Sequence, residues 1–98
     1  MLCGGTTETK EATEEIQALV EKVHADLEAK DGNSFPHFKA VAYKSQIVNG
    51  TNYFVKIQVD DDKFIHARIH QALPHAGSTV SFHSYQPSKS REDAIEYF

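Results

Sequence analysis

Residues 40–59, AVAYKSQIVNGTNYFVKIQV, contain two runs of alternating strand-forming residues that meet at Asn49-Gly50. Asn and Gly accept the positive φ angles that a tight turn requires, so this pair predicts a β-hairpin. Ile47 and Val48 precede the turn, at positions where polar side chains are usual. Two branched apolar side chains at an exposed tip indicate a surface that docks against another molecule. The alternative is an ordinary hairpin in which these two side chains pack locally.

The length and composition of the chain favour a single compact domain. With 98 residues, 40% of them hydrophobic, the sequence can bury one core, and we expect one domain over residues 1–98. The net charge of -4 provides no basic stripe for a phosphate backbone, which argues against nucleic acid as a partner. No stretch of about 18 apolar residues is available to cross a bilayer, so no membrane partner is expected.

The N-terminal residues and the cysteine content predict a cytoplasmic protein. Cys3 is the single cysteine, so no internal disulfide can form, as is usual in reducing compartments. The segment from Met1 to Gly5 lacks the charged and apolar regions of a signal peptide. Catalysis by Cys3 is not expected, because no fixed base stands near it in the sequence.

Residues 13–30 carry the pattern of one amphipathic helix. Thr13 is a suitable N-cap, and the helix is predicted to run to about Lys30, where residues 31–34, DGNS, end it. Before the helix, residues 1–12 are small and polar and predict a mobile N-terminal trunk. The helical spacing of apolar side chains predicts a buried stripe of Ile16, Leu19, Val20, Val23 and Leu27.

The rest of the chain alternates with the period of β-strands and predicts an antiparallel meander. The strand before the hairpin covers residues 40–47, and the return strand presents one apolar face of Tyr53, Val55, Ile57 and Val59. After a turn at Asp60–Asp62, the third strand has Ile65, Ala67 and Ile69 on one face and His66, Arg68 and His70 on the other. A fourth strand surrounds Val80, Phe82 and Tyr85. A helix followed by such a meander defines the α+β class, in which the helix covers the apolar face of the sheet.

Several short motifs occur together and in order along nearly the whole chain. They are MLCG at residues 1–4, FP at 35–36 ahead of FKAV at 38–41, QIVNG at 46–50 followed by TNYF at 51–54, LP at 73–74 and YF at 97–98. QIVNG fits the pattern QxVxG, which alone would occur by chance in many proteins. In this order and register the set is specific, and the chain resembles the stefins, the type 1 cystatins.

The resemblance implies a fold, an activity and a site. The fold is cystatin-like, with an antiparallel β-sheet wrapped around a single α-helix. The activity is reversible, tight inhibition of papain-like cysteine proteases such as cathepsins, and it needs no catalytic residue, metal or cofactor. An N-terminal trunk and two hairpin loops would plug the active-site cleft of the protease. The residues that the resemblance assigns to protease binding are Leu2, Cys3, Gly4, Gln46, Ile47, Val48, Asn49, Gly50, Leu73, Pro74 and His75. Alanine is frequent in stefins where this chain has Asn49, so the protease preference is expected to differ.

Two other functions remain open at this stage. One is a metal-binding protein, because His66 and His70 would share a face if residues 64–73 were helical. On a strand they would lie about 13 Å apart, at roughly 3.3 Å per residue, and would be solvated or lightly hydrogen-bonded. The other is a scaffold that has the fold but does not inhibit. For the inhibitor we expect mainly a monomer, with a slow, minor domain-swapped dimer that has lost the hairpin tip and does not inhibit.

Overall fold

The computed structural model describes residues 9–32, 34–35, 37–48, 50–73 and 79–95, with the backbone alone described at Val48. The elements in chain order are β1 (Lys10–Glu11), α1 (Glu14–Lys22), α2 (His24–Asp31), β2 (Lys39–Val48), β3 (Gly50–Asp60), β4 (Lys63–Gln71) and β5 (Val80–Lys89). Within the described residues, the strands form one antiparallel sheet in the order β1-β2-β3-β4-β5. This architecture confirms the predicted α+β class, and the turn between β3 and β4 lies at Asp61 and Asp62 as expected.

The helical segment begins and ends where the sequence predicts. The Thr13 hydroxyl accepts a hydrogen bond from the Ile16 N–H at 3.3 Å, as an N-cap does. After Asp31 the chain turns left-handed at Gly32, with φ 83°, and the Gly32 N–H donates to the Glu28 carbonyl at 2.8 Å.

The prediction of one uninterrupted helix is wrong, because the segment is divided at Val23. This residue has φ -108° and ψ 8°, and its N–H donates to Val20, three residues earlier, instead of continuing the α-helical pattern. The second helix starts at His24, and the Leu27 N–H bonds the Val23 carbonyl at 2.9 Å. Val23 is β-branched, and β-branched residues lose side-chain freedom in a helix. Outside regular helix geometry, its side chain still lies in the core and is 1% exposed.

The two helices lie against one face of the sheet and bury the predicted apolar stripe there. The core that they form with the sheet consists of Ile16, Leu19, Val20, Val23, Leu27, Ala40, Val55, Ile57, Val59, Ile65, Ala67 and Ile69. Gln17 adds a polar connection at the edge of this core. Its side-chain oxygen accepts from the Ala40 N–H at 2.8 Å, and its side-chain nitrogen donates to the Phe38 carbonyl at 3.0 Å.

Residues 10–12, predicted as part of a mobile N-terminal trunk, are joined to the sheet. Lys10 pairs with Tyr43 and Glu11 with Ala42, and the Ala12 N–H donates to the Val41 carbonyl at 3.1 Å. β1 has two residues, and the alternation of side chains along a strand has a period of two. A strand this short therefore shows no repeating pattern in the sequence. The remainder of the predicted trunk, residues 1–8, lies outside the described residues.

The opposite face of the sheet, here called the outer face, is covered by the segment of residues 90–95. The Lys56 ammonium, on β3, donates to the carbonyls of Arg91 at 2.6 Å and Asp93 at 2.5 Å. The Arg91 guanidinium lies 5.0 Å from the centre of the Phe64 ring, and Ile95 is 2% exposed. The outer face therefore has a small core of its own.

The expectation that the histidines of β4 are solvated is wrong for His66, which this segment helps to bury. Its exposure is 0%, and within the described residues neither ring nitrogen has a hydrogen-bond partner. Burial, together with the positive charges of Lys56 and Lys89, lowers the pKa of His66 from 6.5 to about 4. The ring is therefore neutral near pH 7.

Candidate functional site

The β2–β3 hairpin is paired without interruption from Ala42 and Lys56 up to the predicted turn. Gln46 pairs with Asn52, Ile47 with Thr51, and Val48 with Gly50 on the two sides of residue 49. Gly50 has φ 103°, in the region that favours glycine, which confirms why glycine follows Asn49 in the sequence. The hairpin tip is thus held by cross-strand pairing on both sides.

Ile47 is the exposed apolar side chain that the sequence predicts at this tip. It is 68% exposed, and it is the large exposed hydrophobic residue of the described part of the chain. Its neighbour Gln46 has the opposite environment, with 6% exposure. Alternation along β2 explains the contrast, since successive side chains point to opposite faces of a strand.

Gln46, Asn52 and His70 form a hydrogen-bonded chain across three strands. The Asn52 side-chain NH₂ donates to the Gln46 side-chain oxygen at 2.9 Å. The Asn52 side-chain oxygen lies 2.8 Å from His70 Nδ1. Cross-strand pairing sets these contacts, because Asn52 is opposite Gln46 on β2 and opposite His70 on β4. Neither Asn52 nor His70 was predicted from the sequence to belong to the hairpin site.

Gly50 brings the hairpin against the end of β4. A Cβ atom at this position would lie 2.5 Å from the Gln71 carbonyl oxygen and 3.0 Å from two atoms of the His70 ring. A side chain could not be accommodated without displacing backbone. Glycine is therefore required for the close approach of these two segments as well as for its φ angle.

The second predicted loop starts beside this contact. Gln71, the last residue of β4, pairs with both Thr51 and Val80, and the Ala72 N–H donates to the Thr79 carbonyl at 2.9 Å. Leu73 follows and is half-buried. The structure thus brings the ends of both predicted loops to the same end of the sheet, here called the loop end.

The described residues reach only part of the predicted site. Strand β1 is antiparallel to β2, so the chain enters β1 from the direction of the loop end. The predicted binding residues Leu2, Cys3, Gly4, Asn49, Pro74 and His75 lie outside the described residues, as does the side chain of Val48. Gln46, Ile47, Gly50 and Leu73 are the predicted residues whose placement is described.

The metal-binding alternative depended on His66 and His70 sharing a helical face. Both residues lie on strand β4, so that arrangement is not formed. Among the described residues, the group of three side chains close enough to share an ion is His37, Asp60 and Asp61, with ligand atoms within 4.8 Å of one another. His37 and Asp61 are exposed, and this group includes neither histidine of the prediction.

The loop end presents an exposed apolar side chain, Ile47, on a hairpin held by cross-strand pairing. In the part of the chain that the structure describes, no helix has the length and apolar character needed to span a bilayer.

Residues 4–92 match the family model of the Cystatin domain, and the chain belongs to the cystatin family. Cystatins are inhibitors of cysteine proteases, so the family assigns this chain to that class of protein.

Similar proteins include cystatins from several mammals. Cystatin-B of Bos taurus is 50% identical over 98 residues, which is the full length of both chains. Cystatin-B of Homo sapiens is 44% identical over 98 residues, again the full length of both. Stefin-C of Bos taurus is 47% identical over 95 residues, covering 97% of this chain and 94% of stefin-C. These similarities confirm the resemblance and the cystatin-like fold expected from the sequence motifs.

Proposed function

We propose that this protein is a reversible, tight-binding inhibitor of papain-like cysteine proteases of the cathepsin type, and that it plugs their active-site cleft with the loop end. The observation that carries the proposal is the exposure of Ile47, 68%, on a hairpin paired as far as Val48 and Gly50. The pairing of the strand holds this apolar side chain in water. Its burial by a partner therefore makes the free energy of binding more favourable. That gain is about 1.5–3 kcal/mol for a fully buried side chain.

Preorganisation supports tight binding by this surface. A flexible peptide loses chain entropy when it enters a cleft, whereas the pairing of β2 with β3 has already fixed this hairpin. Such a loop can cover the protease nucleophile without placing a scissile carbonyl against it. In this mechanism no acyl-enzyme forms, the inhibitor is not an enzyme, and it needs no cofactor.

The proposed contact residues belong to three segments of the chain. They are Leu2, Cys3 and Gly4 in the trunk, Gln46, Ile47, Val48, Asn49 and Gly50 in the first loop, and Leu73, Pro74 and His75 in the second. The trunk would contribute mainly to the lifetime of the complex, so its removal would raise the dissociation rate more than it slows association. The polar Asn49 side chain at the tip would alter the preference among proteases.

Titration of a papain-like protease with the purified chain tests this proposal. We expect stoichiometric loss of activity that recovers slowly after a large dilution. Ile47→Ser should weaken inhibition about tenfold or more, since it removes apolar contact area. Asp62→Ser, at the exposed turn between β3 and β4, is the control and should inhibit normally. Absence of inhibition at micromolar wild-type protein would contradict the proposal and favour a non-inhibitory scaffold.

We further propose a cytoplasmic monomer with a minor domain-swapped dimer. The single cysteine supports a reducing compartment. If the β2–β3 hairpin straightened, two chains could exchange their helices together with β2. The dimer would lack the hairpin tip, so dimer isolated by gel filtration should not inhibit. A dimer as potent as the monomer would exclude this mode of exchange.

A further inference from the structure

His70 stands at the end of the hydrogen-bonded chain that reaches the first loop. It is half-buried on β4, directly opposite Asn52, which is 6% exposed. Asn52 in turn bonds Gln46, also 6% exposed, one residue before Ile47. Buried amides that lose a partner cost about 1–3 kcal/mol. Each bond of this chain therefore contributes to the stability of the base of the loop.

The placement of the Asn52 amide indicates which nitrogen of the His70 ring carries the proton. Asn52 uses its NH₂ group toward the Gln46 oxygen, so its own oxygen faces His70 Nδ1. An oxygen can only accept, and Nδ1 must therefore carry the hydrogen in this arrangement. In the neutral ring, Nε2 is then unprotonated.

The His70 ring also lies beside Gly50, on the space that a Cβ there would point into. A Cβ on Gly50 would lie 3.0 Å from both Cε1 and Nε2 of the ring. One side chain thus reaches both sides of the hairpin: Gln46, through Asn52, on β2, and Gly50 on β3. Neither contact involves the apolar tip itself.

We infer that His70 is a positioning residue for inhibition, which holds the first loop in its docking conformation through Asn52 and Gln46. This inference rests on the proposed function, because the loop is the part proposed to enter the protease cleft. His70 acts without touching the reacting atoms of the protease. Its loss would let the base of the loop relax, and the complex would dissociate faster.

Two substitutions separate the roles of the donor and the ring. His70→Phe retains a ring beside Gly50 but removes the Nδ1 hydrogen. His70→Asn removes the ring but can present an amide N–H to Asn52 from nearly the same position. We expect His70→Phe to raise the dissociation rate constant of the protease complex about tenfold with little change in association. We expect His70→Asn to restore it to within about twofold of wild type.

Measurements on the free protein keep this inference separate from the proposed function. In wild type, ¹⁵N NMR should show the neutral His70 ring protonated at Nδ1, and the Asn52 side-chain amide should exchange slowly. In His70→Phe that amide should exchange faster. A wild-type ring protonated at Nε2, an unchanged Asn52 amide in His70→Phe, or equal dissociation rates for that variant and wild type would overturn the inference. If wild type does not inhibit, the proposed function fails, and the NMR results alone decide whether His70 positions the loop.

Discussion

Gly50 and Gln71 approach so closely that a Cβ on Gly50 would lie 2.5 Å from the Gln71 carbonyl oxygen. This contact joins the start of β3 to the end of β4, from which the second loop departs. The relative position of the two segments from which the loops depart is therefore set by backbone packing between strands.

Gly50→Ala should lower both stability and affinity. The new methyl group meets the Gln71 carbonyl, and alanine must adopt a φ of 103°. We expect a loss of about 2–3 kcal/mol in the free energy of unfolding, measured by urea denaturation, together with weaker protease inhibition.

Gly32→Ala is the matched control for this change. Gly32 has φ 83°, but a Cβ there would have nothing within 4 Å. It should cost only about 1 kcal/mol and leave inhibition intact. Equal losses for the two variants would show that the φ angle, and not the contact with Gln71, determines the effect.

Gln17→Ala should weaken the attachment of α1 to the edge of the sheet. The substitution leaves the Ala40 N–H and the Phe38 carbonyl without the side chain that now bonds both. We expect a loss of about 2 kcal/mol in unfolding free energy. Lys22→Ala, an exposed position on the same helix, should be nearly neutral in the same thermal or urea assay. A Gln17 variant as stable as wild type would mean that water replaces both bonds.

Lys56→Met should loosen the segment over the outer face. Methionine preserves most of the apolar stem but cannot donate to the carbonyls of Arg91 and Asp93. We expect faster amide hydrogen exchange at Ser90 and Asp93, whose N–H groups are bonded within this segment at 2.7 and 3.2 Å. The loss of stability should be about 1–3 kcal/mol. Lys63→Met, at an exposed position of β4, serves as the control, and similar exchange in both variants would contradict the role given to Lys56.

Acid should destabilise the fold through His66. Its folded-state pKa is about 4, below the 6.5 of the exposed side chain. Between these values the unfolded chain binds a proton that the folded chain does not. Stability from this group is therefore complete above pH 6.5 and declines as the pH falls toward 4. From pH ~7 to pH ~4 the loss is about 3 kcal/mol.

The comparison of wild type with His66→Leu isolates this contribution from that of the carboxylates. We expect the variant to lose less stability than wild type over the same pH interval in urea denaturation. His83→Gln, which changes an exposed histidine, should follow the wild-type curve. Parallel curves for wild type and His66→Leu would contradict the burial of a neutral ring.

The parts of the fold that depend on neighbouring residues were predictable from the sequence. Thr13 and Gly32 mark the ends of the helical segment because capping involves residues only a few positions apart. The hairpin followed from Asn49-Gly50 and from alternation on both sides of it. The exposure of Ile47 was predicted by the same pattern, because an apolar residue beside a tight turn has little nearby to cover it.

The features that the sequence did not predict depend on residues distant in the chain. Lys56 and His66 alternate like solvent-facing residues, and the return of residues 90–95 over Lys56 leaves no signal in that local pattern. The break at Val23 leaves no trace in the hydrophobic pattern, because the apolar stripe continues across it. His70 belongs to the site only through the pairing of β3 with β4. The sequence did contain one signal for this hydrogen-bonded chain. Gln46, Asn52 and His70 are polar residues on the same face of neighbouring strands.

The segment over the outer face also bears on how the protein is made. Helices and β2–β4 can meet as soon as these elements have left the ribosome, since the chain up to residue 71 contains both sides of the main core. The part of the outer face around Lys56 and Phe64 lacks this cover until residues 90–95 have also left the ribosome. A nascent chain therefore passes through a stage in which one side of its sheet is apolar and open, when it is most exposed to chaperones and to aggregation.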